Sequence, residues 1–436
     1  MLKKAVFFGI LTLSSYALAY SSITGVKPNF NSSSNSKLTL SEALARALSA
    51  NPEILEKQAS LHAARLSVTA TRTRLFPAIS AEYQYTDSDT PNQELPDANH
   101  AFVVLNEDLF NGGRTWAQIH RLRHLEEKAQ DLAQEKRLEV MAAVKDSYYE
   151  AVSAAEQVND WTRAESEFSR LLKLMEPKFT VGAVPEYDFV KIRISLRNYK
   201  QDKLIAQAKL GHELHLLGEA MGGEPPKTLA EIHQLTPPPD LSVKEILFKS
   251  FEARPDVKAQ SAQVLAQEDA VTQAKRQRLP KLSLEADYGY GGVTVPQMGI
   301  GWGVTALVDL PIFEFGHIRS QVDTEEAKLS AEQERQIALQ LKIKTQVYDT
   351  LEQVKLSWAD YQEALKNLPG AWRAYVSSLR RYRTGLARMA ELSDAHSLLV
   401  QARLERDSDR ALYEMALTKL QLVMGDQKGL ERVDVQ

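Results

Sequence analysis

Two histidine pairs stand at helical spacing and are the first candidates for chemistry: His120 with His124, and His212 with His215. Imidazoles three or four residues apart share a helix face and can hold a divalent ion if a third ligand completes the set. Neither pair has an evident third ligand, and neither has a histidine–glutamate metalloprotease motif beside it. Solvated histidines on a helical face account for both. No phosphate loop, nucleophile elbow or dinucleotide fingerprint occurs. The sequence therefore predicts no catalytic residue, no metal ligand and no cofactor. One further constellation is acidic: Glu391 and Asp394, six and nine residues after Gly385. Two acids three apart are by themselves a solvated helix face, so their meaning depends on where the fold puts them.

The elements that must position them are written twice, at a constant offset of 203 residues. Pro52 recurs as Pro255, Pro77 as Pro280, Phe110 as Phe313 and Gly113 as Gly316. Phe179, Gly182 and Met221-Gly222 match Tyr382, Gly385 and Met424-Gly425. The shared residues are the punctuation of the chain, so one order of helices, turns and strands is built twice.

The N-terminus predicts export. Lys3 and Lys4 precede an apolar run from Ala5 to Leu13, and Ala17-Leu18-Ala19 offers a cleavage site, which makes residues 1–19 a signal peptide. Residues 20–38, rich in Ser and Asn, are expected to be disordered. The chain has no cysteine, hence no disulfide and no lipid on a cysteine, and its net charge of -4 is no footprint of nucleic acid. After the signal, no apolar run approaches the roughly 20 residues of a membrane helix. Entry into a membrane is left to β-strands.

The first repeat spans 39–223. Thr39 and Glu42 form a capping box, and a helical pattern runs to Leu75, interrupted near Asn51-Pro52. Ile79, Ala81, Tyr83 and Tyr85 then alternate with polar residues, which is strand. A polar loop is expected over 87–99 and a second strand over Ala101–Leu105, giving a β-hairpin within 78–108. The second repeat, 241–425, carries its hairpin at 281–311. There Leu282, Leu284, Ala286 and Tyr288, with Met298, Ile300, Trp302, Val304 and Ala306, form one apolar face. Transmembrane barrels use this alternation with the apolar face toward lipid. After each hairpin comes a proline-poor helical stretch; from Gly113 to Met175 it would reach about 95 Å at ~1.5 Å per residue. Leu122, Leu125, Ala129 and Leu132, like Val347, Leu351, Val354 and Trp358, have coiled-coil spacing. Pro369-Gly370 predicts a kink, glycine turns near 182 and 385 fold each stretch into a helical hairpin, a Pro-rich linker covers 224–240, and 426–436 is a tail.

Two hairpins per chain give four strands, which cannot close, and open edges are not tolerated in hydrocarbon. An eight-stranded barrel is filled by its own side chains, so a pore calls for three chains and twelve strands. At this point the chain resembles the TolC-like outer membrane efflux proteins over nearly all of its mature length. The resemblance is carried by Leu40-Ser41-Glu42-Ala43-Leu44, Asn51-Pro52-Glu53-Ile54, Leu75-Phe76-Pro77, Leu109-Phe110-Asn111-Gly112-Gly113-Arg114 and the glycine turns, with Arg254-Pro255-Asp256-Val257 and Leu279-Pro280 in the second repeat. It implies a mainly α protein with long coiled-coil hairpins forming an α-barrel, plus a shared 12-stranded trimeric β-barrel in the outer membrane. It also implies a homotrimer working with a periplasmic adaptor and an inner-membrane transporter, with no nucleic acid involved.

The resemblance further implies a gate at the helical tip. Glu391 and Asp394 match acidic positions that ring the pore, where six carboxylates from three chains would filter ions. Tyr382 and Asp188 match a polar link that holds the tip closed; the basic partner's position is Ala387, with Arg388 displaced by one. Val181-Gly182-Ala183 and Thr384-Gly385-Leu386 resemble the tips that adaptors engage. Two other readings remain: a type I protein-secretion duct, and a soluble periplasmic coiled-coil scaffold.

Overall fold

The computed structural model describes residues 37–90, 93–230, 235, 237–239, 242–292 and 299–432; the expected signal peptide lies outside the described residues. The first repeat gives helices α1 (Leu40–Ala50) and α2 (Pro52–Arg72), strands β1 (Ala78–Thr90) and β2 (Gln93–Phe110), and helices α3 (Arg114–Thr180) and α4 (Glu186–Met221). The second gives α5 (Val243–Ala253), α6 (Pro255–Lys275), β3 (Lys281–Gly292), β4 (Gly299–Asp309), α7 (His317–Arg383) and α8 (Met389–Val423), and a short α9 (Gln427–Glu431) follows. Among the described residues no helix is long and apolar enough to cross a membrane.

Equivalent residues do equivalent work. The capping box of Thr39 and Glu42 on α1 returns as Ser242 and Glu245 on α5. Where the chemistry differs the anchor persists: Asn51 Nδ2 donates to the Ala220 carbonyl at 2.8 Å, and Arg254 Nη1 donates to Val423, its counterpart, at 3.4 Å. Val140, Val144, Tyr148 and Leu217 fill one core beneath α1; Ile343, Val347, Leu351 and Leu420 fill the other beneath α5. α3 and α7 are each 67 residues long, about 100 Å at 1.5 Å per residue. α7 stays helical through Pro369, where the sequence predicts a kink.

The strands form one antiparallel sheet in the order β1-β2-β3-β4, with the repeats joined at β2–β3 and both outer edges open. Register aligns Ile79, Leu105, Ala286 and Val304 in one row, and Ala81, Val103, Tyr288 and Trp302 in the next. Paired residues share a face, so this side is apolar from edge to edge. On the other side Glu82, Phe102, Gly289 and Gly301 share a row. A Cβ at Gly289 would lie 2.1 Å from the Ala101 carbonyl oxygen, so this crossing requires glycine.

Three expectations need correction. The polar loop over 87–99 is largely strand: Ser88, Asp89 and Thr90 pair with Leu95, Glu94 and Gln93. Pairing needs only backbone groups, and Pro96, which lacks a donor, falls in the register shift between Thr86 and Ser88. The disorder expected through residue 38 ends sooner, because Leu38 is buried and bridges Leu229 in parallel, and the Tyr148 hydroxyl donates to its carbonyl at 3.0 Å. As far as residue 432 the tail is tied down as well: Asp426 caps α9, and Leu430 is buried in the first-repeat core.

Toward the helical tips a third core draws on both repeats, with Phe168, Met175, Ile192, Tyr199, Met389 and Leu392. At its centre is His396, fully buried. Its Nε2 donates to Glu167 at 2.7 Å, and its Nδ1 meets the Tyr199 hydroxyl at 3.0 Å. Phe168 and Tyr375 complete the ring contacts, so α3, α4, α7 and α8 meet at one imidazole. Burial alone would raise the Glu167 carboxyl, but the His396 hydrogen bond and charge, with Arg403 and Arg170, bring it below its ordinary value.

Two expectations follow for stability, read from helical circular dichroism on heating. Gly222→Ala should cost about 2 kcal/mol or more, since φ is +73° and a Cβ would sit 2.7 Å from Asn51 Cα. Gly182→Ala, with φ +75° but open space, should cost only about 1 kcal/mol, and the reverse order would refute this account. His396→Ala should destabilise the tip by about 3 kcal/mol through the stranded Glu167. A lowered carboxyl contributes stability above the unfolded value of about 4.3 and loses it as pH falls through the folded value. Glu167→Gln should therefore flatten the decline in melting temperature below about pH 4.3; an unchanged acid limb would contradict the pairing.

Candidate functional site

The tip is built by two equivalent turns. At the end of α3 the Gly182 amide donates to Phe179 (2.9 Å) and Ala183 to Lys178 (2.8 Å). At the end of α7 Gly385 donates to Tyr382 (3.1 Å) and Leu386 to Arg381 (2.8 Å). Both are Schellman caps, with the glycines at φ +75° and +77°. The caps stop the helices sharply and leave Val181, Ala183, Thr384 and Leu386 exposed, the two large apolar ones at 78% and 71%.

The expected gate residues gather behind these turns, with different partners than the sequence predicts. Tyr382 is half-buried and its hydroxyl donates to the Met175 sulfur at 3.4 Å instead of to Asp188. Burial raises the phenol's pKa, and the nearby Asp188 carboxylate adds to the rise, so the two residues are neighbours without a direct bond. Arg388 is the N-cap residue of α8, exposed and making no side-chain cap bond. Glu391 and Asp394 lie one turn apart on α8, both exposed, between the buried Leu392, Ser393 and Ala395. Glu391, in the first turn, sits where the positive end of the helix dipole favours a carboxylate.

Sequence reasoning missed Arg381. Its Nη1 lies 3.7 Å from Glu391 Oε2, and its Nη2 donates to the Leu386 carbonyl at 3.3 Å, so it spans the turn. The available signal is the cluster Arg380, Arg381 and Arg383 in the last turn of α7, suited to the negative helix end. The acid pair is thus half neutralised within its own chain. The exposed ion pair contributes little stability, but it sets the local charge.

The histidine pairs are solvated, as expected: His120, His212 and His215 are exposed, and His124 makes polar contacts at the surface of α3. His124 Nδ1 lies 3.0 Å from Glu127, and its Nε2 lies 3.7 Å from Asp269 of α6. Among the described residues no group of three or more His, Asp or Glu could hold a metal ion.

This architecture is shared. The sequence profile described as outer membrane efflux protein matches residues 43–223 and 249–426. Cobalt-zinc-cadmium resistance protein CzcC of Cupriavidus metallidurans is 22% identical over 384 residues, covering 87% of this chain and 88% of CzcC. Pyoverdine export outer membrane protein OpmQ of Pseudomonas aeruginosa is 22% identical over 431 residues, covering 90% and 84%. Among solved structures, the Campylobacter jejuni outer membrane channel CmeC superposes with a TM-score of 0.79 at 17% identity, covering 88% of this chain and 85% of CmeC. A family of outer membrane efflux proteins disfavours the reading as a soluble scaffold, and the protein is a channel and no enzyme. With both repeats matched, the chain belongs to the outer membrane efflux protein family.

Proposed function

We propose that three copies of this chain close a twelve-stranded barrel and work as the exit duct of a tripartite efflux system. The observation that carries this reading is the four-stranded sheet, apolar on one face and open at both edges, joined to helices about 100 Å long. Four strands from each of three copies make twelve, enough for an aqueous lumen. The apolar rows face lipid and the glycine-lined rows face water. The helices continue the lumen into the periplasm, toward an adaptor and an inner-membrane transporter that does the energy-consuming work. The exposed tips at Val181–Ala183 and Thr384–Leu386 are the surfaces offered to the adaptor. Cargo follows the chemistry of the relatives' names, a divalent metal ion or a small chelate, with the transporter choosing between them.

At the tip, Glu391 and Asp394 from three copies bring six carboxylates to the pore entrance, which attract and hold cations. Arg381 offsets half of that charge. Asp188, Tyr382 and Arg388 contribute the polar contacts by which neighbouring hairpins stay closed.

Single-channel recording in planar bilayers tests both halves of this reading. The purified protein should conduct with cation preference and show block by divalent cations on the tip side. Glu391→Ala with Asp394→Ala should reduce that preference by about twofold or more and relieve the block. Arg381→Ala should act in the opposite direction and deepen it. Absence of channels would defeat the duct; channels whose block ignores all three substitutions would defeat the acid ring alone.

A further inference from the structure

One joint inside the chain carries a residue-level instruction for the joint between copies. Where repeat one meets repeat two, α3 lies along α6 and the turn after β2 rests on the turn before β3. Arg276 Nη1 donates to the Gly113 carbonyl at 2.6 Å, and a Cβ at Gly112 would lie 2.6 Å from Leu279 Cβ. Lys128 Nζ donates to Gln263 at 3.0 Å, and His124 Nε2 lies 3.7 Å from Asp269. This joint is close and polar.

The 203-residue offset names the counterparts: Gly112 becomes Phe315, Leu279 becomes Phe76, Lys128 and Gln263 become Ala331 and Ser60, and His124 and Asp269 become Ala327 and Leu66. Every polar tie is replaced by an apolar or small pair, and in the single chain all these positions are uncovered. Phe315 is 92% exposed, Phe76 70% and Leu66 53%. Among the described residues Phe315 is also the one non-glycine residue with positive φ, +49°. A bulky aromatic held in the left-handed region persists where its surroundings over-determine it; among the described residues of one chain its ring meets the equally exposed Phe313, at a centroid distance of 4.7 Å, and is otherwise uncovered.

We propose that the face bearing Phe315, Ala327 and Ala331 docks on Phe76, Leu66 and Ser60 of a second copy, as an apolar seam where sheet meets helices. The proposal rests on the trimeric reading and adds which surfaces meet and in which direction. Phe315 cannot repeat the Gly112 contact, since even a Cβ there collides with Leu279. The seam between copies must therefore open wider than the internal joint, and the two phenyl rings fill the added space. The two joints are not interchangeable: the glycine turn accepts no ring, and the phenylalanine turn has no Arg276 to hold it. Repeat two of one copy is thereby directed to repeat one of the next, which closes a ring.

The chain has no cysteine, so introduced thiols report cleanly. Phe76→Cys with Phe315→Cys, treated in native membranes with a short bis-maleimide that spans the width of two rings, should give covalent dimers and trimers, and neither single variant should. The mass of the same sample in mild detergent separates the failures. A trimer that does not cross-link overturns this seam and leaves the trimeric duct standing; a monomer overturns both. Independently, Phe315→Gly removes both ring and backbone strain, so it should lower the temperature at which the trimer dissociates without lowering the helical signal of the folded chain. An unchanged or higher dissociation temperature would count against the seam.

Discussion

The rest of the structure depends on the unpaired backbone at the two outer strands. β1 and β4 are the edges of the sheet, and among the described strands neither has a second neighbour for its outward-facing backbone groups. In water such an edge is an aggregation hazard; in hydrocarbon it is untenable, because no solvent can satisfy it. The apolar rows from Ile79 to Val304 are stable only in lipid, and the edges beside them are stable only when paired. Closure by further copies meets both requirements. In the proposed duct the long helices follow from the same geometry, since they continue the tube that several chains would complete.

Duplication builds this arrangement with one set of instructions, and the copies diverge where their neighbours differ. Inside the fold, equivalent positions keep equivalent roles, as with Val144 and Val347 in the two cores. At boundaries the chemistry separates. Gly112 is packed against Leu279 of the other repeat while Phe315 is left exposed; Asp188 and Lys191 stand where the second repeat has Glu391 and Asp394. Frame and function are thus encoded at different residues of one repeat, which is why punctuation reveals the first and only broken equivalence reveals the second.

Much of the fold was legible because its signals are local. Alternation marks strands, Thr39 and Glu42 mark a helix start, and Gly182 and Gly385 mark helix ends, each by a mechanism confined to a few residues. The stretch 87–99 misled because its polar, proline-bearing composition resembles a loop, while strand pairing is decided by the partner backbone. At the tip the sequence singled out Glu391, Asp394, Asp188 and Tyr382 but not their partners. Arg381 precedes Glu391 by ten residues across a turn, and Tyr382 chose the sulfur of Met175 over the carboxylate of Asp188. His396 was invisible for a stronger reason: its partners Glu167 and Tyr199 lie on other helices, 229 and 197 residues away.

That histidine belongs to a seam that explains how the tip acids are held in place. Between α3 and α8 the contacts are charged and largely withdrawn from water: Glu156 with Arg410, Asp160 with Arg406 (which also pairs with its own neighbour Asp407 on α8), and Glu167 with His396. Burial pushes the Asp407 carboxyl up to about 7 even with the Arg406 guanidinium against it. Such pairs add little net stability, because desolvation offsets their attraction, yet breaking one strands a buried charge. A leucine seam tolerates sliding; this one does not, since moving α8 along α3 by a residue unpairs the charges together. Register is therefore what the buried charges specify. Glu391 and Asp394 lie on the same helix within two turns of His396, so the seam that orders α8 also fixes where their carboxylates point.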